Sequence, residues 1–93
     1  MRTINRPSSF KRDYKREAKG QYRKTLDAVL LHVLRVLVTD QVLAPRYRDH
    51  DLTGDWAGYR ECHLKPDLLL IYRKIGEETL TLARLGSHSE LFG

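Results

Sequence analysis

Three of the chain's four histidines, His50, His63 and His88, fall in its second half, together with Asp67 and Arg84. These side chains can move protons about a phosphate and stabilise its extra negative charge. RNA cleavage by the neighbouring 2′-hydroxyl needs a base to take that proton and an acid to protonate the departing 5′-oxygen. It also needs a cation against the crowded phosphoryl oxygens. Imidazole serves either proton role near neutral pH, and guanidinium supplies a cation that does not titrate there. Three histidines and an aspartate also have the makings of a zinc shell, but no HxxxH or CxxC pair fixes two ligands on one element. The reading therefore involves no metal and no other cofactor. Its rival from another class is a non-catalytic nucleic-acid or partner-binding module, in which the histidines merely satisfy buried groups. His32, inside an apolar helical stretch, is read as structural.

Composition bounds what such a site can belong to. Ninety-three residues are expected to make a single domain, 1–93, with one modest core. With 41% hydrophobic and 31% charged residues, the chain reads as globular. Its 17 Lys and Arg outnumber 12 Asp and Glu, giving +5 and a sequence pI near 9.6, which favours a polyanionic or acidic partner. Cys62 stands alone, so no internal disulfide forms, and its strand-like surroundings suggest a buried inert thiol. Met1 to Pro7 contains no apolar signal core and no run approaches membrane-spanning length, so a soluble, cytoplasmic protein without membrane association is expected.

Two changes of period organise the elements that must position the site. After an extended opening at about residues 2–6, Pro7-Ser8-Ser9 starts a charged helix from Phe10 to about Lys19, with Phe10, Tyr14 and Ala18 on its packing face. A second helix is predicted from about Tyr22 to Val38, striped by Leu26, Val29, Leu30, Val33, Leu34 and Leu37. Residues 41–48, with Pro45 and two arginines, read as an irregular connection. Three strands follow: Trp56 to Leu64, Asp67 to Lys74 and Thr79 to Arg84, separated by Lys65-Pro66 and Gly76-Glu77-Glu78. The run Leu68 to Tyr72 lacks polar alternation, as a strand covered on both faces would. The expected fold is α+β, an antiparallel sheet packed on an N-terminal helical hairpin in the order β-α-α-β-β-β.

Period-two parity tests the site against that frame. Tyr59, Glu61 and His63 share one strand face, Arg60 and Cys62 the other. His63 and Asp67 flank one tight turn and are expected to approach each other. Arg84 has the parity of Leu80 and Leu82, which aims it at the core unless a bulge or the strand end releases it.

The wording around these residues is distinctive: Asp49-His50, Leu52-Thr53-Gly54-Asp55-Trp56, Gly58 to His63, Pro66-Asp67-Leu68-Leu69-Leu70-Ile71-Tyr72, Arg84-Leu85-Gly86-Ser87-His88 and Leu91-Phe92-Gly93. In order and spacing this series resembles the YafQ branch of the RelE superfamily, messenger-RNA endonuclease toxins of bacterial type II toxin–antitoxin pairs. The resemblance implies a RelE-like microbial RNase fold and ribosome-dependent, metal-independent cleavage that inhibits translation. It implies catalytic roles for His50, His63, Asp67, Arg84 and His88, with Phe92 on the messenger; Arg60 is added as a substrate contact. Lys11, Arg12, Lys15, Arg16, Lys19 and Arg23 become candidates for ribosomal RNA phosphates. The implied partners are the ribosome with its messenger and an acidic, DNA-binding antitoxin of the DinJ type or another, operator DNA being reached only through that complex. Leu68, where the family often has tryptophan, and Ser87, where threonine is common, depart from the pattern.

Overall fold

The computed structural model describes residues 1–93. The chain forms β1 (Thr3–Asn5), α1 (Ser8–Glu17), α2 (Leu26–Val38), β2 (His50–Asp51), β3 (Arg60–Lys65), β4 (Leu68–Ile75), β5 (Thr79–Gly86) and α3 (His88–Phe92). Short 3-10 turns at Pro45–Tyr47 and Gly54–Trp56 flank β2. The α+β architecture is the expected one, and its sheet runs β1-β5-β4-β3-β2. Four strands are antiparallel in sequence, but β1 lies parallel to β5, Ile4 opposite Leu80, so the sheet is mixed.

Burial on both faces explains the unbroken apolar run of β4. On one face Leu68, Leu70 and Tyr72 join Cys62, Leu64, Leu80, Leu82 and Leu85 beneath Phe10 of α1 and Leu26, Leu30, Val33 and Leu37 of α2. On the other face Leu69, Ile71 and Ala83 pack under Leu91 of α3, with Leu52, Trp56 and Tyr59 beside them. The α2 stripe is thus accounted for by the sheet it covers. Cys62 is fully buried on the helix-hairpin side, and burial raises its thiol well above the usual range.

Local chemistry moves several boundaries. The second helix starts at Leu26, not Tyr22, with Thr25 at the N-cap position and Asp27 in the first turn. Trp56 belongs to a 3-10 turn entered through Gly54 at φ +64°, and strand structure begins only at Arg60. A two-residue β2 and the final helix α3 were not expected. The α3 start is a capping box: Ser87 Oγ accepts from Glu90 N at 3.2 Å while Ser87 N donates to Glu90 Oε1 at 2.8 Å.

The first helix has a further task at the sheet edge. β1 covers only the Thr79–Thr81 end of β5, and α1 takes over beyond it. Ser9 Oγ donates to the Ala83 carbonyl, Asp13 accepts from the Leu85 N–H at 3.0 Å, and Arg16 donates to the Leu85 carbonyl at 2.8 Å. Side chains thereby replace the strand that would otherwise satisfy this edge.

Candidate active site

Strand register sets His50, Glu61, Ile71 and Arg84 opposite one another across β2, β3, β4 and β5. Residues paired in this way point to the same face, away from the helical hairpin, and the strand spacing puts the Cα atoms of Glu61 and Arg84 about 10 Å apart. Arg84 reaches that face through a bulge. Tyr72 pairs with Leu82 and Ile71 with Arg84, so Ala83 is the extra residue and parity flips after it. Of the two releases from simple alternation, bulge or strand end, the structure shows the bulge.

The next register row carries His63 opposite Leu69, with Leu69 opposite Gly86. His88 and Phe92 arrive from α3, which lies directly over Gly86. A Cβ at Gly86 would meet the side-chain ends of Arg16 at Nη2 (2.6 Å), Glu90 at Oε1 (3.1 Å) and Leu91 at Cδ2 (3.3 Å), so glycine leaves room there for these three side chains. The aromatic groups then form a file: His50 to His63 at 6.4 Å between ring centres, His63 to His88 at 5.9 Å, and His88 to Phe92 at 6.0 Å.

Two carboxylates orient the file. Glu61 is buried, and its Oε1 lies 3.2 Å from His63 Nε2 and 3.7 Å from His50 Nε2. Asp67 Oδ1 accepts the backbone N–H of His88 at 3.1 Å and lies 3.5 Å from His88 Nδ1. Asp67 therefore serves His88; the expected approach to His63 across the turn is replaced by Glu61, which sequence reading passed over. Its parity with His63 was the available signal. His50 Nδ1 lies 2.7 Å from the Arg48 carbonyl, which can only accept, so Nδ1 donates to it. The side chains of His50 and His88 are 50% and 58% exposed against 13% for His63, so the first two are open to a substrate.

Arg84 is held by a residue that sequence reading also missed. Asp13 of α1, buried, accepts Arg84 Nε at 2.6 Å and Nη2 at 3.2 Å, besides Arg16 Nη1 at 3.1 Å and the Leu85 N–H. Burial by itself raises this carboxyl, but hydrogen bonds from Arg84 and Leu85 with the charges of Arg84 and Arg16 outweigh it and hold it below its ordinary value. The Asp13 bond also raises Arg84. Arg84 Nη1 is left free of Asp13.

Other candidates lie elsewhere. Arg60 is opposite Tyr72, on the helix-hairpin side of the sheet. It binds Asp51 at 2.5 Å and Asp49 at 3.2 Å, and Asp49 also accepts the Tyr72 hydroxyl. The structure does not bring it to the histidines. Lys11, Arg12 and Lys15 are exposed on α1, whereas Lys19 and Arg23 fall in the turns after it. Arg16 is occupied by Asp13, Glu17, Glu90 and the Leu85 carbonyl, so it is not a free phosphate ligand. Tyr72 is buried and closed to a base; His32 is exposed and tilts against Tyr47. No group of three or more His, Cys, Asp or Glu side chains is disposed to hold a metal ion.

Known proteins resemble the chain over its whole length. The family model described as the bacterial toxin of type II toxin-antitoxin system, YafQ, matches residues 2–93. The mRNA interferase toxin YafQ of Escherichia coli strain K12 is 34% identical over 92 residues, covering 97% of this chain and 99% of that protein. A metal-bound toxin from Helicobacter pylori has a crystal structure with TM-score 0.81 and 47% identity, covering 99% of this chain and all of that one. YafQ in the E. coli DinJ-YafQ complex superposes with TM-score 0.79 and 31% identity over the full length of both chains.

Proposed function

The chain belongs to the YafQ family of bacterial type II toxins, and from that premise we propose that it is the toxin of such a pair, one domain over 1–93 that cleaves messenger RNA in the ribosomal decoding site. The observation that carries this reading is the file His50–His63–His88 on one sheet face, backed by Glu61 and Asp67, with Arg84 in the same register row.

The geometry divides the work. His50 and His88, the two exposed imidazoles, exchange protons with the attacking 2′-oxygen and the leaving 5′-oxygen. Attack by the 2′-oxygen on phosphorus breaks the bond to the 5′-oxygen and leaves a 2′,3′-cyclic phosphate and a 5′-hydroxyl. The Arg48 carbonyl orients His50, Glu61 orients His63, Asp67 orients His88, and Arg84 meets the phosphoryl oxygens, where charge builds in the transition state. Phe92, 44% exposed beside His88, offers a face for a base. No step passes through a metal. The H. pylori relative binds one, so activity after chelation bears directly on this assignment.

The toxin's partner is an acidic antitoxin of the DinJ type, in keeping with the E. coli complex and the +5 charge. No helix is long and apolar enough to cross a membrane, and the proposed action on ribosomes calls for a cytoplasmic protein. Inducing the wild type and His88→Ala in cells, with growth and messenger 5′ ends followed together, tests the function. Arrest with new internal ends in the wild type alone supports the nuclease. Equal toxicity of a folded His88→Ala would favour a binding module.

A further inference from the structure

Beside His63 the molecule has an open pocket of about 520 Å³ walled by Arg46, Arg48, Lys65 and Pro66, with Tyr47 and Val29 behind. It exists because β2 pairs only with Arg60 and Glu61, leaving the rest of the β3 edge without a strand partner. The 3-10 turn Pro45–Tyr47 fills part of that gap and turns its arginines outward. Arg48, at φ +48°, ends the turn and lends its carbonyl to His50, so pocket and histidine file share a backbone segment.

The charge here is uncompensated. Arg2, Arg16, Arg60, Lys74 and Arg84 all have carboxylate partners, but Arg46, Arg48 and Lys65 have none within ion-pair distance. Arg46 instead stacks on Tyr47 with its Nη2 2.8 Å from the hydroxyl, and Lys65 lies 6.0 Å over the Tyr22 ring. These aromatic contacts hold the cations without neutralising them. Three unneutralised cations in one concavity next to a proton-transfer site describe an anion subsite.

We propose that this pocket binds the phosphate and ribose of the nucleotide adjoining the scissile bond, on the His63 side, making Arg48 and Lys65 substrate-binding residues with Arg46 in support. The inference rests on the RNA-cleaving reading. His63 belongs to both sites, so a strand whose scissile phosphate lies between His50 and His88 continues into the pocket. Tyr47 is buried and Tyr22 is covered by Lys65, which leaves no aromatic face for a base. Recognition there is of the backbone, the same for every sequence.

The test combines Arg48→Gln/Lys65→Gln with a ribosome-bound messenger carrying an uncharged methylphosphonate at the adjoining linkage. With native messenger the double variant should raise the half-saturating concentration about ten-fold at any codon the wild type cuts, with a much smaller change in saturating rate. Its salt dependence should flatten by about 0.7 in log–log slope for each phosphate that the variant no longer neutralises. On the methylphosphonate messenger, wild type and variant should become equal. If the wild type cuts but the variant matches it in half-saturation and salt slope, the proposal is overturned. A variant that loses only antitoxin affinity overturns it too, assigning the pocket to an acidic protein segment. A wild type that cuts nothing would instead refute the RNA-cleaving reading on which the proposal stands.

Discussion

Removing the Asp13 carboxylate should weaken the fold and the chemistry together, because one buried group both closes the β5 edge and fixes Arg84. In Asp13→Ala the Leu85 N–H loses its acceptor, a cost of about 1–3 kcal/mol for a buried amide. The lost ion pairs add less: Arg84 and Arg16 are 29% and 41% exposed, which limits them to about 0.5–1 kcal/mol in all. The sum, about 1.5–4 kcal/mol, corresponds to a fall of about 6–30 °C in Tm for a chain of this size. The pH dependence has a definite sign. Asp13 sits below its unfolded value, so its stabilisation is complete above about pH 4 and disappears as pH falls through the folded value. Urea denaturation at neutral pH and near pH 3 should show the wild-type advantage shrinking at the acid end. Cleavage should slow about ten-fold as the Arg84 fork loses its anchor, against about a hundred-fold or more for Arg84→Ala. Asp13→Ala/Arg84→Ala should be no slower than Arg84→Ala alone. A stability difference that stays constant with pH, or additive rate losses in the double variant, would refute the coupling.

Gly86→Ala should push the Arg16 guanidinium aside and crowd the Glu90 and Leu91 side-chain ends, destabilising by about 1 kcal/mol; unchanged amide exchange in residues 85–92 would contradict this. Ser87→Ala removes one arm of the capping box and should cost about 1 kcal/mol, read as faster exchange of the Glu90 amide. Reversing Lys11, Lys15 and Lys19 to glutamate should weaken ribosome association and flatten its salt dependence with the fold kept; an equal slope would remove them from the RNA interface. Chelator-treated protein should cut at its ordinary rate, and activity lost on chelation and restored by zinc or copper would call for a metal-based account.

The elements with long periods were legible in the sequence. The α2 stripe, the two-sided β4 run and the shared parity of Glu61 and His63 all follow from alternation and burial. What escaped has local or distant causes. β2 is two residues long and has no period to read. Arg84 faces the histidines only because Ala83 bulges, and Asp13 becomes its partner only when residues 71 positions apart meet at the β5 edge. The α3 start was different: Ser87-His88-Ser89-Glu90 is a readable capping box, masked by Gly86 just before it. Arg60 illustrates the converse, a cation next to the site in sequence that parity sends to the other face.

Single-turnover cleavage of a ribosome-bound messenger, followed across pH with chelator present, most directly tests the account that His50 and His88 exchange protons while Arg84 stabilises phosphate. The wild type should yield 2′,3′-cyclic phosphate and 5′-hydroxyl ends with a bell-shaped rate profile. His88→Ala should lose one limb of the bell and about 10²–10⁴-fold in rate while keeping its ribosome affinity, and Arg84→Ala should be slower at every pH. Products ending in 3′-hydroxyl and 5′-phosphate, or a His88→Ala protein that keeps the full bell and loses only binding, would contradict it.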